Sequence, residues 1–213
     1  MEVAGSSRCV HCGKGKYSSM MGANSSDLCL ECGAGMFLNA TASDNQTDCA
    51  FCEAGKYSVK LAASGCTHCD AGKYGTTIGA NSSRHCVDCV AGKFAEYTAN
   101  NNVSACLLCE AGKFSGIEGA SACINCTAGT FLNTTGNVNA SACEPCISGK
   151  FSPTPGANSS CYCLDCVLGK YHMTEGANSP SACLDCRART LASFLGDIGS
   201  YGHCDRVHVY IYV

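Results

Sequence analysis

The stretch Cys69-Asp70-Ala71-Gly72-Lys73-Tyr74, closed by Cys86-Val87-Asp88-Cys89, is one period of a repeat that runs through the chain in both directions. Cysteine pairs of the form C-x-x-C begin at Cys9, Cys29, Cys49, Cys66, Cys86, Cys106, Cys123, Cys143, Cys163 and Cys183. The step is 20 residues, except for two steps of 17 after Cys49 and Cys106, so a 57-residue block of three repeats recurs. Third after the second Cys of nine pairs stands a glycine: Gly15, Gly35, Gly55, Gly72, Gly92, Gly112, Gly129, Gly149 and Gly169. Two residues further on stands an aromatic: Tyr17, Phe37, Tyr57, Tyr74, Phe94, Phe114, Phe131, Phe151 and Tyr171. A lysine sits between them at Lys16, Lys56, Lys73, Lys93, Lys113, Lys150 and Lys170. Each repeat then passes through small polar residues, such as Gly22-Ala23-Asn24-Ser25-Ser26, to the next Cys.

The glycine slot suits a turn with positive φ, and the polar stretch is turn chemistry. The aromatic is the one large apolar surface per repeat, and the adjacent cystine is the surface it is expected to cover. Three or four residues remain on either side, enough for a two-stranded ribbon that is not stable alone in water. Leu, Ile, Val and Phe number 36 of 213 residues, about 17%, too few for one large core. The expected fold is therefore a set of small disulfide-rich repeats, an elongated solenoid-like rod of short β-ribbons and turns with little helix and no common core. A net charge of −3 and a pI near 6.0 argue against nucleic acid or anionic membrane as partner. No run reaches the 18 or so apolar residues of a membrane span.

With 22 cysteines, about a tenth of the chain, three chemistries compete. Joining the second Cys of each pair to the first Cys of the next gives Cys12–Cys29, Cys32–Cys49, Cys52–Cys66, Cys69–Cys86, Cys89–Cys106, Cys109–Cys123, Cys126–Cys143, Cys146–Cys163 and Cys166–Cys183, with Cys186–Cys204 closing a degenerate last repeat. Cys9 and Cys161 are left unpaired. Each link would contribute roughly 3 kcal/mol on the loop-entropy model. The rival is zinc: Cys9, Cys12, Cys29 and Cys32 have the spacing of a four-cysteine zinc site, which would make the chain an intracellular zinc-binding scaffold. Against zinc stand the Asn-x-Ser/Thr acceptors at Asn24, Asn39, Asn45, Asn81, Asn102, Asn125, Asn133, Asn139 and Asn158, nine of 13 asparagines, which fit turns of a secreted glycoprotein. Redox chemistry of the C-x-x-C kind needs a helix to cap in a βαβ setting, and neither is visible. The six histidines form no catalytic set, so the chain reads as non-enzymatic, with no cofactor and no metal.

The unit C-x2-G-Lys-aromatic closed by a Cys, as in Cys69 to Cys89, resembles the ephrin-receptor-like cysteine-rich repeat. It is also similar to the first submodule of tumour-necrosis-factor-receptor cysteine-rich domains, and tandem arrays of this kind look like surface proteins of microbial eukaryotes. The resemblance covers about residues 9–186. It implies an extracellular protein of the growth-factor-receptor cysteine-rich group, with disulfides linking neighbouring units, acting in recognition, adhesion or as a stalk or spacer. The implied partner is an extracellular protein or glycan, not nucleic acid, and no kinase activity is carried over. The lysine ladder offers either solvated side chains beside a turn or a basic stripe for acidic glycans.

Residues 1–8 form an N-terminal stub without an apolar leader segment, so the chain is expected to be a fragment or to have a misplaced start. Residues 9–186 hold the repeats. Residues 187–213 form a tail in which Val207, Val209, Ile211 and Val213 alternate with polar and aromatic residues as in a strand. The odd Cys161 is expected to remain free or to link two chains as a disulfide-bonded dimer.

Overall fold

The computed structural model describes residues 10–23 and 25–186, and the backbone of 190–193 and 203–206. The expected strand at 207–213, the stub, Cys9 and Asn24 lie outside the described residues, as does the side chain of Cys204.

Each repeat is a module that begins at the second Cys of one pair and ends just before the second Cys of the next: module 1 is 12–31, module 4 is 69–88 and module 9 is 166–185. Nine cystines close nine modules: Cys12–Cys29, Cys32–Cys49, Cys52–Cys66, Cys69–Cys86, Cys89–Cys106, Cys109–Cys123, Cys126–Cys143, Cys146–Cys163 and Cys166–Cys183. Cys186 is also disulfide-bonded. The Lys-aromatic dipeptide forms one strand, and the two residues inside the next C-x-x-C form its antiparallel mate. In module 1 Lys16 lies opposite Glu31 and Tyr17 opposite Leu30; in module 4 Lys73 lies opposite Asp88 and Tyr74 opposite Val87. Small disulfide-bonded ribbons with little helix are what the sequence implied, and no α-helix occurs among the described residues. Beyond the modules, Thr190–Ser193 pairs antiparallel with His203–Arg206.

A turn opens each module. In module 4 the Lys73 N–H donates to the Asp70 carbonyl, and Gly72 holds φ +84° at the third turn position, the place where a type II turn needs a positive φ. The Gly72 carbonyl then accepts the Cys89 N–H at 2.9 Å, which ties the second Cys of the next pair to the turn. Seven modules carry a three-residue 3-10 turn before the closing Cys, for example Ser83–His85 and Val103–Ala105. The N–H of its second residue is accepted by a Ser or Asn side chain at Ser25, Asn45, Ser82, Asn102, Asn139, Ser159 or Ser179. The two short modules, 52–68 and 109–125, have no such turn. There the buried hydroxyls of Ser58 and Ser115 donate to the carbonyls of Lys60 and Ile117.

Modules join through backbone bonds at fixed positions. The Gly72 N–H donates to the Ala95 carbonyl of the next module, the Gly75 N–H to Asn100, and the Ala99 N–H returns to the Cys69 carbonyl. The same bonds recur elsewhere, as from Gly15 to Leu38, Ser18 to Ser43 and Ala42 to Cys12. Contact also reaches the module after next. A Cβ on Gly15, Gly35, Gly55, Gly72, Gly92, Gly112 or Gly129 would run into the carbonyl of Ala62, Gly79, Ala99, Gly119, Gly136, Gly156 or Gly176 respectively. These glycines are therefore required twice, by their φ and by a backbone packed on them.

The chain forms two compact units, one of residues 1–90, 94–107 and 119–121, the other of residues 91–93, 108–118 and 122–213. In each, burial is local. From Cys32 to Cys166 the second Cys of each pair is buried, with Cys52, Cys109 and Cys126 at 0% exposure. One cluster in the first unit gathers Cys32, Leu38 and Cys49 under Tyr17 and Met36; another gathers Cys89, Ala95 and Cys106 under Tyr74. In both clusters the aromatic packs on the cystine of the following module.

Candidate functional site

Of the expected site residues, the cysteines are brought together in pairs and the asparagines are not gathered at all. Cys161 is free and exposed within the turn Ser160–Tyr162, where its N–H is bonded to Ser159. The sulfurs of Cys12 and Cys32 are spent in two different cystines, which leaves no thiolates for the zinc reading of that spacing. Among the described residues no group of His, Cys, Asp and Glu could hold a metal ion.

The lysine ladder has a structure that the sequence reading did not reach. Lys16, Lys73, Lys150 and Lys170 form ion pairs across their ribbons with Glu31, Asp88, Asp165 and Asp185 at 3.0, 2.6, 2.8 and 2.8 Å. In the short modules Lys56 and Lys113 instead turn back to Glu53 and Glu110, three residues earlier, at 2.8 and 3.3 Å. A hydrogen bond from Lys56, reinforced by its charge, holds the Glu53 carboxyl below the usual carboxylate range. That support is present at neutral pH and is lost as the pH falls through the lowered value; the pair is exposed, so its weight is small. Lys93 has Leu108 and Val90 at the two equivalent places and stands apart. A ladder neutralised rung by rung is not a basic stripe. The signal was available: an acidic residue ends the C-x-x-C interior at Glu31, Asp88, Asp165 and Asp185, and the ribbon register places it against the lysine.

Beside this ladder runs an apolar one. The first residue inside several C-x-x-C pairs is an aliphatic side chain left about half exposed: Leu30, Val87, Leu107, Ile124, Leu164 and Leu184. The acceptors Asn39, Asn45, Asn81, Asn102, Asn125, Asn133, Asn139 and Asn158 are all exposed. Their side chains do different things: Asn39 accepts a hydrogen bond from the Lys14 ammonium at 2.8 Å, whereas Asn45, Asn102 and Asn139 cap 3-10 turns.

Residues 2–49 and 92–143 match the family described as tyrosine-protein kinase ephrin type A/B receptor-like. No curated protein matches the chain. The chain thus carries cysteine-rich repeats of the ephrin-receptor-like kind, a disulfide-bonded domain type of extracellular proteins that is non-catalytic, and no helix among the described residues is long and apolar enough to cross a membrane.

Proposed function

We propose that this chain is an extracellular, non-enzymatic repeat protein that serves in recognition, adhesion or spacing, with residues 9–186 as its working array and residues 187–213 as a separate tail. The observation that carries this reading is the unbroken series of nine cystines in consecutive modules, which form and persist in an oxidising compartment. The exposed Asn-x-Ser/Thr acceptors support glycosylation there. Neutralised lysines favour a protein partner over an acidic glycan, and the half-exposed aliphatic residues supply contact area for one.

Protein purified from an oxidising secretory host tests the reading against zinc. Elemental analysis is expected to find no stoichiometric zinc, and a thiol reagent is expected to label Cys161 but none of the module cysteines from Cys12 to Cys183. Bound zinc together with reduced module cysteines would sink it in favour of a zinc scaffold.

A further inference from the structure

The Asn-x-Ser/Thr acceptors are alike in sequence and unlike in structure. At Asn45, Asn102 and Asn139 the side-chain Oδ1 accepts the backbone N–H of Thr47, Ser104 and Ser141 at 3.0, 2.9 and 3.0 Å. That residue is the acceptor's own hydroxyl residue, so the triplet is folded on itself at an exposed corner. The cap uses the oxygen and leaves Nδ2 for other chemistry, and a substituent on Nδ2 leaves the cap in place.

Asn125 is arranged otherwise. It ends the ribbon of module 6, opposite Lys113. Although the residue is exposed as a whole, its amide end lies against the turn of module 8: a Cβ on Gly156 would sit 3.1 Å from Asn125 Cγ and 3.0 Å from Oδ1. The middle residue of this acceptor, Cys126, is wholly buried and bonded to Cys143. The third, Thr127, gives its carbonyl to the Thr130 N–H and hydroxyl. A sugar on Asn125 would hang from an amide whose Cγ and Oδ1 are packed in the seam between the module 6 ribbon and the module 8 turn, whereas the capping asparagines stand at open corners.

We propose that Asn45, Asn102 and Asn139 carry N-linked glycans in the secreted protein and that Asn125 does not. Module 3, residues 52–68, contains no acceptor, so both short modules stay free of sugar while the long modules 2, 5 and 7 carry it. In the transfer, Nδ2 bonds to the anomeric carbon of a lipid-linked oligosaccharyl pyrophosphate. The carbon–oxygen bond to the pyrophosphate breaks, its electron pair leaves with the pyrophosphate, and the Nδ2 proton passes to a base. A chain modified at Asn125 before folding cannot seat module 8, so folded, secreted protein is bare at that position. The inference rests on the extracellular reading.

The full chain, secreted from a eukaryotic host behind a leader sequence, is deglycosylated enzymatically in heavy-oxygen water and its acceptor peptides are read by mass spectrometry. High occupancy is expected at Asn45, Asn102 and Asn139, and none at Asn125. N102Q should remove one glycan from the intact mass, and N125Q should leave both mass class and secreted yield unchanged. Secreted, disulfide-bonded protein with Asn125 occupied to the extent of Asn102 overturns the proposal and leaves the extracellular reading standing, as does secreted protein bare at all three capping asparagines. Protein retained in the cell with zinc and reduced cysteines defeats both.

Discussion

At the scale of single residues, two glycine-like slots carry the architecture. The slot after C-x-x-C is glycine nine times, but the left-handed turn that packs on it from two modules away is glycine at some repeats and alanine at Ala62 and Ala99, with φ of 52° and 59°; Ala42, at the same place in module 2, has φ 61°. A left-handed alanine costs about 1–2 kcal/mol, and glycine gives back about 0.5–1 kcal/mol through its freer unfolded chain. Ala62→Gly is therefore expected to stabilise its surroundings by about 0.5–1 kcal/mol, while Gly72→Ala, which adds the same strain and drives a methyl into the Gly119 carbonyl, should cost more than about 2 kcal/mol; native-state hydrogen exchange reads both. Ser148 and Ser152 bury hydroxyls that have no hydrogen-bond partner. Ser152 occupies the slot where Ser58 and Ser115 bond a carbonyl two residues on, but Pro153 follows it. Ser152→Ala should raise the stability of module 8 by about 1 kcal/mol, and a midpoint shift the other way in denaturant would show that the hydroxyl has a partner. The glycine slot is legible because glycine marks it in all nine modules. The left-handed turn is not, because Ala62 advertises nothing about its φ.

At the scale of the module, the ribbon and the aromatic are legible and their direction is not. Gly-Lys-aromatic and the C-x-x-C interior announce two short segments, and spacing joins them. Which cystine the aromatic covers depends on how one module sits on the next, and chemically equivalent modules leave no mark of that in the sequence. The structure answers with Tyr74 on the cystine Cys89–Cys106. Tyr74→Ala should therefore loosen modules 4 and 5 by about 2 kcal/mol, at the low end for a large aromatic because Tyr74 is only half buried. It should weaken module 6 less, through the Gly72–Gly119 packing, and leave module 9 protected. Hydrogen exchange that slackens module 3 and spares module 5 would reverse the assignment. The 3-10 turns are not legible as helix for a plain reason: three residues show no period. Their caps were in view, since a Ser or Asn four residues before the closing Cys, as at Ser25 and Asn102, recurs in seven modules.

At the scale of the whole molecule, one exposed thiol among the described residues stands out from a chain of cystines. Cys161 lies two residues before Cys163, close to the Cys146–Cys163 bond but outside it. Cys161→Ser is expected to leave hydrogen-exchange protection unchanged and to abolish any reducible dimer that does not depend on Cys9; a dimer of undiminished amount on non-reducing gels would place the link elsewhere. Because modules of 20 and of 17 residues meet their neighbours at recurring backbone positions, seven of them also meeting the module after next, the joints carry no address. A gene encoding such a chain can lose or duplicate a segment of one whole period, in register from one second Cys to the next, and both flanks will find their accustomed contacts. A loss of half a period strands a cysteine and removes a glycine from beneath its carbonyl. Length is thus the property that inheritance can vary most freely here, in whole steps, and related genes should differ in the number of periods sooner than in the content of any one.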